Sequence, residues 1–349
     1  MTDNNGKTAP AFPMTWEQAV EWLRSQPDRQ ELVRSCYFDD PLEAAAARFH
    51  DSEEWAATRK LIPATPGTVL DIGAGRGISS YALARDGWRV TALEPDPSAL
   101  VGAGAIETLK TASGLPIEIV GEWGEALPFP DARFDLIHCR QVLHHALNLE
   151  TFLKEAARVL KPGGWFIATR EHVADTPEGL AVFLRYHDLH RFYGGENAFP
   201  LSTYLAAVDN AGLEFTGILT PFDSPVNYFP ATPDEIINTM KTLWHWKHEP
   251  AGAELAANAR KSYTIPGRLY TFTARKPSSD TREDLTGPAL SHRLMVQALT
   301  DNYESRLRSL EARLVENERK FDLQLAALRQ DLAHPWSTMT RHLRSKLSQ

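Results

Sequence analysis

The chain has 349 residues and a formal net charge of −8, with 43% apolar and 23% charged residues. That balance fits a globular protein of one large domain with appendages, and it argues against a nucleic-acid backbone as the main partner. The two cysteines, Cys36 and Cys139, are too few and too far apart for a disulfide framework or a cysteine-rich zinc site, which fits a reducing cytoplasm. The opening MTDNNGKTAP lacks the pattern of a signal peptide, and no apolar run approaches the roughly 20 residues that cross a bilayer.

Residues 1–62 read as a helical extension. TWEQAVEWLRS offers Thr15 as a cap, with Glu17 two residues on instead of the three that a capping box needs. DPLEAAAARFHDSEEWAATRKLI repeats its apolar residues near every 3.6 positions. Over 63–277 apolar strands and helices alternate. GTVLDI, WRVTALE, LPIEIVG, RFDLIHC and WFIATR read as strands. ISSYALARDG, PDPSALVGAGAIETLKTASG and LETFLKEAARVLKPGG read as the helices between them. That alternation predicts an α/β fold, a parallel sheet with helices on both faces. STYLAAVDNAGL then predicts a helix, EFTGILT a strand, and RLYTFTARK (268–276) a closing antiparallel strand. The stretches 171–201 and 221–266 look too irregular for the sheet and are expected to be insertions that bind the acceptor.

From 290 to 333 the chain is charged and free of Gly and Pro. Tyr303, Leu307, Leu310, Leu314, Phe321, Leu325, Leu328 and Leu332 recur at intervals of mostly three and four residues. This heptad seam predicts a coiled coil, so residues 303–332 are expected to pair with a second copy or a partner protein. Residues 334–349 form a basic amphipathic tail with Arg341, Arg344 and Lys346 and no acid, fit for contact with an anionic membrane surface.

The most telling stretch is VLDIGAGRG (69–77), a glycine turn between a strand and a helix. A dinucleotide turn would need its third glycine at position 78, which is Ile78, and Asp71 would repel a pyrophosphate while attracting a cationic amino acid. The sequence resembles the class I S-adenosylmethionine-dependent methyltransferases of the type-11 subgroup. Asp71-x-Gly73-x-Gly75-x-Gly77 matches their first motif and Glu94, in VTALEPD, their ribose-binding acid. LPFPDARFDLIHC (127–139) and RVLKPGGWFIATR (158–170) match the blocks leading into the fourth and fifth strands. The resemblance covers about 65–170 strongly and 268–276 weakly. It implies a Rossmann-like seven-stranded sheet and S-adenosyl-L-methionine as cofactor, held by Asp71, Gly73, Ala74, Gly75, Gly77, Glu94, Pro95 and Arg140. The family's adenine-binding acid falls at Trp123 here, with Glu122 beside it, so either residue is a candidate for that contact.

Methyl transfer to a hydroxyl benefits from a general base, most often histidine. RQVLHHA (140–146), TREHV (169–173) and YHDLHRFYGGEN (186–197) are expected to converge over the cofactor. His172, His145 and Glu171 are the catalytic candidates, and His144 is expected to point elsewhere. His187, His190, Tyr193, Glu196 and Asn197 are the acceptor-binding candidates. A metal set drawn from His172, His187, His190 and Glu196 is not adopted, because ligand sets usually come closer in sequence.

Polar and aromatic crowding by Arg185, Tyr186, Arg191 and Tyr193 suits a sugar. The end of the chain also resembles the C-termini of bacterial surface-polysaccharide enzymes through Thr340, Leu343 and Arg344, with His342 where those have Pro. The expectation is therefore an O-methyltransferase acting on a sugar or polysaccharide intermediate, cytoplasmic and near the inner face of the membrane. Two alternatives stand. One is a small-molecule, secondary-metabolite or quinone-type methyltransferase, which an enclosed, apolar insertion would favour. The other is a scaffold or length-control protein with a vestigial cofactor fold, against which the intact Asp71, glycines and Glu94 speak.

Overall fold

The computed structural model describes residues 13–244, 268–278 and 286–333. The described chain falls into two units, Met1–Asp301 and Asn302–Gln349.

In the first unit the helices α1 (Trp16–Ser25), α2 (Gln30–Ser35), α3 (Leu42–His50) and α4 (Glu53–Thr58) precede the sheet. Then follow β1 (Thr68–Ile72), α5 (Ile78–Arg85), β2 (Arg89–Leu93), α6 (Ala103–Ser113), β3 (Ile117–Val120), β4 (Phe134–Arg140), α7 (Leu149–Val159) and β5 (Leu160–Val173). The chain continues through α8 (Pro177–Tyr186), α9 (His190–Tyr193), α10 (Leu201–Asn210), β6 (Glu214–Leu219), α11 (Pro225–Tyr228), α12 (Pro233–Trp244), β7 (Arg268–Arg275) and α13 (Thr286–Ala333).

The seven strands lie in the order β3-β2-β1-β4-β5-β7-β6. The pairs from β3 through β5 are parallel, while β7 runs antiparallel to both β5 and β6. The expected antiparallel strand is therefore present, but it is inserted inside the sheet and does not close its edge. Successive residues of β1 show why both faces must be covered. Leu70 and Ile72 enter the core beneath α7 and α10, and Val69 enters the core against α3, α5 and α6.

Several local expectations change. Thr15 does complete a capping box, because the residue three places on is Gln18, whose side chain accepts from the Thr15 N–H. The helix expected from Pro95 starts only at Ala103. Pro95 and Pro97 lack N–H donors, and Asp96 holds Ser98 in a tight turn (Oδ1 from the Ser98 N–H, 2.8 Å). The stretch expected to be irregular after 171 contains two helices, α8 and α9. TREHV lies within the fifth strand, which runs on past Arg170 to Val173, around a register shift between Ala168 and Glu171 where Arg170 takes a φ of +61°. That shift re-aims the residues after it, as a bulge does. Of the second insertion, α11 and α12 are described; 245–266 lies outside the described residues, as does the basic tail at 334–349.

α13 begins on the first unit. Ser291 accepts from the Phe215 N–H at 2.9 Å, and Leu294, Met295, Ala298 and Leu299 pack on the core. In the second unit Tyr303, Leu307, Leu310, Leu314 and Phe321 are exposed. The side chains of Leu328 and Leu332 lie outside the described residues.

Candidate functional site

A cavity of about 1020 Å³ opens above the carboxyl ends of β1, β2 and β4, where parallel open sheets bind their ligands. Its floor is the glycine turn. Gly73, Gly75 and Gly77 all have left-handed φ values, +64°, +54° and +82°. At Gly73 a Cβ would come within 2.7 Å of Val142, so the loop after β4 can close over the turn only if that residue is glycine. At Gly75 a Cβ would meet nothing nearer than the Val101 carbonyl at 3.9 Å and would project into open space beside the turn. Gly73, Ala74 and Gly75 line the cavity, whereas Gly77 starts α5 against Ile106.

Glu94 ends β2 beside this turn. Its carboxylate accepts from the Gly75 N–H (2.7 Å) and the Asp96 N–H (2.9 Å), one to each oxygen. The glycine turn thus uses the Gly75 amide to fix a carboxylate, not to cradle a phosphate. Each Glu94 oxygen keeps a further lone pair, which suits a vicinal diol. Burial pushes the Glu94 pKa up, against the two backbone N–H groups that lower it. Pro95, Glu122 and Trp123 line the same cavity, the last two exposed, so either can reach a flat ligand.

Two expected cofactor contacts turn out to be largely occupied. Asp71 lines the cavity, but its Oδ2 accepts from Ser80 Oγ at 2.6 Å and its Oδ1 pairs with His138 Nδ1 at 2.8 Å. Arg140 also lines the cavity and is held more firmly. Its Nε and Nη2 bond to Glu54 at 2.7 and 3.2 Å and its Nη1 to Gln141, so its guanidinium ties α4 to the end of β4. Against the desolvation of burial, Arg140 and Arg170 hold the Glu54 carboxyl below the usual range.

The histidines do converge. His144, His145, His172 and His187 all line the cavity, together with Tyr193 and Glu196. The His172 ring lies 4.8 Å from His144, 4.7 Å from Phe183 and 6.3 Å from His187. His190 and Asn197 are not among the lining residues.

Glu171 does not fit the role of base. It is fully buried, and its carboxylate accepts from the N–H groups of Val142 and His144 and from His144 Nδ1 (2.7 Å). It positions His144, and burial raises its pKa. His144 was expected to point away. It is instead buried in the cluster, where burial, then the neighbouring His145, push its pKa well below the ordinary value and keep it neutral. The consecutive His144 and His145 carry no periodicity that reveals which of them faces a cleft. The 3₁₀ turn Leu143–His145 sets that orientation.

The extension supplies the wall that sequence reasoning missed. Trp16, Leu23, Leu32, Cys36, Tyr37 and Phe38 line the cavity opposite Val182, Phe183, Tyr186 and Leu189 of the first insertion. Trp16 packs on Tyr193 and Trp22 on Phe192, with ring centroids 4.6 and 4.3 Å apart. The signal was the amphipathic Trp16, Val20, Leu23 spacing, legible as a buried face but not as a cover. The polar residues Arg185 and Arg191, which suggested a sugar, are exposed and do not line the cavity.

A family model described as a methyltransferase domain matches residues 70–168. Among curated relatives, a ubiquinone biosynthesis O-methyltransferase of Methylobacterium nodulans is 34% identical over 32% of this chain and 43% of its own length. One of Methylocella silvestris is 30% identical over 49% of this chain and 68% of its own. A demethylmenaquinone methyltransferase of Tropheryma whipplei is 39% identical over 31% of this chain and 44% of its own. The chain thus spans about half the length of the first relatives it matches. The matched region contains the glycine turn, Glu94 and both histidines after β4, and the chain belongs to the S-adenosylmethionine-dependent methyltransferases.

Proposed function

We propose that the protein transfers a methyl group from S-adenosyl-L-methionine to a hydroxyl of a small aromatic acceptor of the quinol or phenol type. The observation that carries this reading is the cavity itself. It joins the glycine turn and Glu94 to a wall of Trp16, Phe38, Val182, Phe183, Tyr186 and Leu189. That wall is apolar, though Val182 and Tyr186 at its rim are exposed, and it gives a flat ring its burial energy while the polar groups gather on the histidine side. The named relatives act in ubiquinone and menaquinone synthesis, which supports the same choice over the sugar expected from the sequence.

The residues present fit the cofactor. Gly75 leaves open the space a Cβ would fill, and Glu94 holds two fixed oxygens for the ribose diol. When bound there, the cofactor supplies an electrophilic methyl group on a sulfonium. The chain's own residues then align the acceptor and take its proton. Alignment counts for much in such a displacement, since it removes the entropy of bringing two reactants together. His172 is the base in this reading, being on a strand, lining the cavity and packed against Phe183. A phenol, with a pKa near about 10, gives its proton to a neutral imidazole far more readily than a sugar hydroxyl does.

The test is a rate comparison. His172→Ala should lower kcat on a hydroquinone or catechol by roughly 10²-fold while calorimetry shows the cofactor bound as before. Transfer to sugars but not to phenols would overturn the acceptor class. An unchanged kcat would remove His172 from the role.

We also infer self-association through residues 303–332. The exposed Tyr303, Leu307, Leu310, Leu314 and Phe321 match the heptad positions of the sequence and are the support for this reading.

A further inference from the structure

Glu196 stands among imidazoles in an arrangement that proton transfer by His172 does not need. His144 Nε2 and His145 Nε2 lie 3.8 and 3.9 Å from its Oε2, and His187 Nε2 lies 3.6 Å from its Oε1. The second nitrogen of each ring decides what faces the carboxylate. His145 Nδ1 is 2.9 Å from the Gly195 carbonyl, which can only accept, so that nitrogen carries the proton. His144 Nδ1 donates in the same way to the Glu171 carboxylate. When each ring is neutral, its Nε2 is a bare lone pair. His187 is the reverse case: its Nδ1 accepts the His190 N–H at 3.2 Å, so its Nε2 carries the proton and can donate toward Oε1.

Two imidazole lone pairs and a carboxylate oxygen therefore converge, all within 4.8 Å of one another. Three electron-rich atoms repel unless a cation, either a metal ion or a proton on one imidazole, lies between them. The backing is that of a metal site as well. Metal-ligating histidines almost always give their other N–H to a carboxylate or a backbone carbonyl, and here one does each. Tyr193 donates its hydroxyl to Glu196 Oε1, which leaves Oε2 turned to the two lone pairs. A tetrahedral ion about 2.0–2.1 Å from each donor needs them about 3.3 Å apart, so each imidazole must move about half an ångström toward Glu196 Oε2 from 3.8 and 3.9 Å.

We propose that His144 Nε2, His145 Nε2 and Glu196 Oε2 bind one divalent transition-metal ion of the zinc, cobalt or iron kind, as two imidazoles and a carboxylate favour. Three protein ligands leave a position open for a hydroxyl oxygen. An ion there would hold that oxygen and make its proton easier to lose. This last role rests on the acceptor reading above; the binding of the ion does not. The spacing in sequence, which argued against a metal set, is overcome because α9 and its following turn fold back over the loop after β4.

The full chain, stripped of metal by a chelator, is titrated with Co²⁺ and followed by visible absorption. One equivalent should bind and give ligand-field bands that Zn²⁺ abolishes by displacement. Glu196→Gln and His145→Ala should each weaken binding at least about 10-fold, whereas His187→Ala should leave it within a few-fold. Cofactor affinity, measured separately by calorimetry, reports that each variant is folded. Absence of the bands at millimolar Co²⁺ in a chain that still binds cofactor would overturn the proposal, as would equal Co²⁺ affinity in parent, Glu196→Gln and His145→Ala. A chain that binds Co²⁺ as described but methylates no phenol keeps the metal site and loses the acceptor reading.

Discussion

Glu94 shows how much one side chain does at this site. Two backbone N–H groups fix its carboxylate, and burial raises its pKa above the ordinary 4.5. In the proposed role only the ionised form can accept from both ribose hydroxyls. The sign follows: cofactor affinity is full above the raised pKa and falls as pH drops through it, by about tenfold per pH unit below it. Calorimetry from neutral to mildly acidic pH should find this loss beginning at a higher pH than an exposed glutamate would give. Glu94→Gln should bind weakly and without that pH dependence. Asp71 teaches a different lesson. Its oxygens hold Ser80 and His138, so Asp71→Ala leaves two buried polar groups unpaired, each costing about 1–3 kcal/mol. Thermal unfolding of Asp71→Ala should therefore shift down together with any loss of cofactor affinity. Gly75→Val acts on the ligand side, placing a side chain in the cavity at a φ of +54°. A folded Gly75→Val variant with parental cofactor affinity would contradict the assignment of the turn.

At the scale of elements, α1 is best understood as a cover. It buries Ala19, Val20 and Leu23 in a small cluster with Val33, Val101 and Leu189, so it joins the cofactor side of the cavity to the first insertion. Leu23→Ala opens a gap that costs on the order of 2–5 kcal/mol at a well-packed site. The cost falls on the docking of α1, not on the sheet. Steady-state kinetics should show the acceptor KM rising more than kcat falls; parental KM in a variant whose α1 packing is lost would contradict the role. The strands and glycine turn were legible in the sequence because short apolar runs bounded by turn residues depend on local chemistry. Glu94 was legible through the family resemblance, and the structure places it at the end of β2 beside the glycine turn. The histidine cluster was legible only as a convergence. Which way His144 and Glu171 face is decided by a 3₁₀ turn and a register shift in β5, neither of which leaves a periodic trace. The pairing of Arg140 was missed for a similar reason: its partner Glu54 lies 86 residues away on α4, where Ala-rich periodicity says only that a helix exists.

For the whole molecule, the boundary of the second unit matters. A cut at residue 290 would strip Ser291, Leu294, Met295, Ala298 and Leu299 from the core they pack on, so the informative truncation ends at Asp301. That truncated chain should be monomeric in light scattering and bind cofactor as the full chain does. The full chain should be larger than a monomer, since each seam leucine gains about 1.5–3 kcal/mol on burial; a monodisperse full-length monomer would contradict pairing through 303–332. The central claim, that one cavity brings the cofactor turn and an apolar acceptor wall together, has a single direct test. The full chain is incubated with isotopically methyl-labelled S-adenosyl-L-methionine and, in parallel, a catechol, a hydroquinone and a set of free sugars, and the products are read by mass spectrometry. The account predicts label on an oxygen of the catechol or hydroquinone, lost in Gly75→Val. Label on the sugars alone, or equal transfer by Gly75→Val, would contradict it.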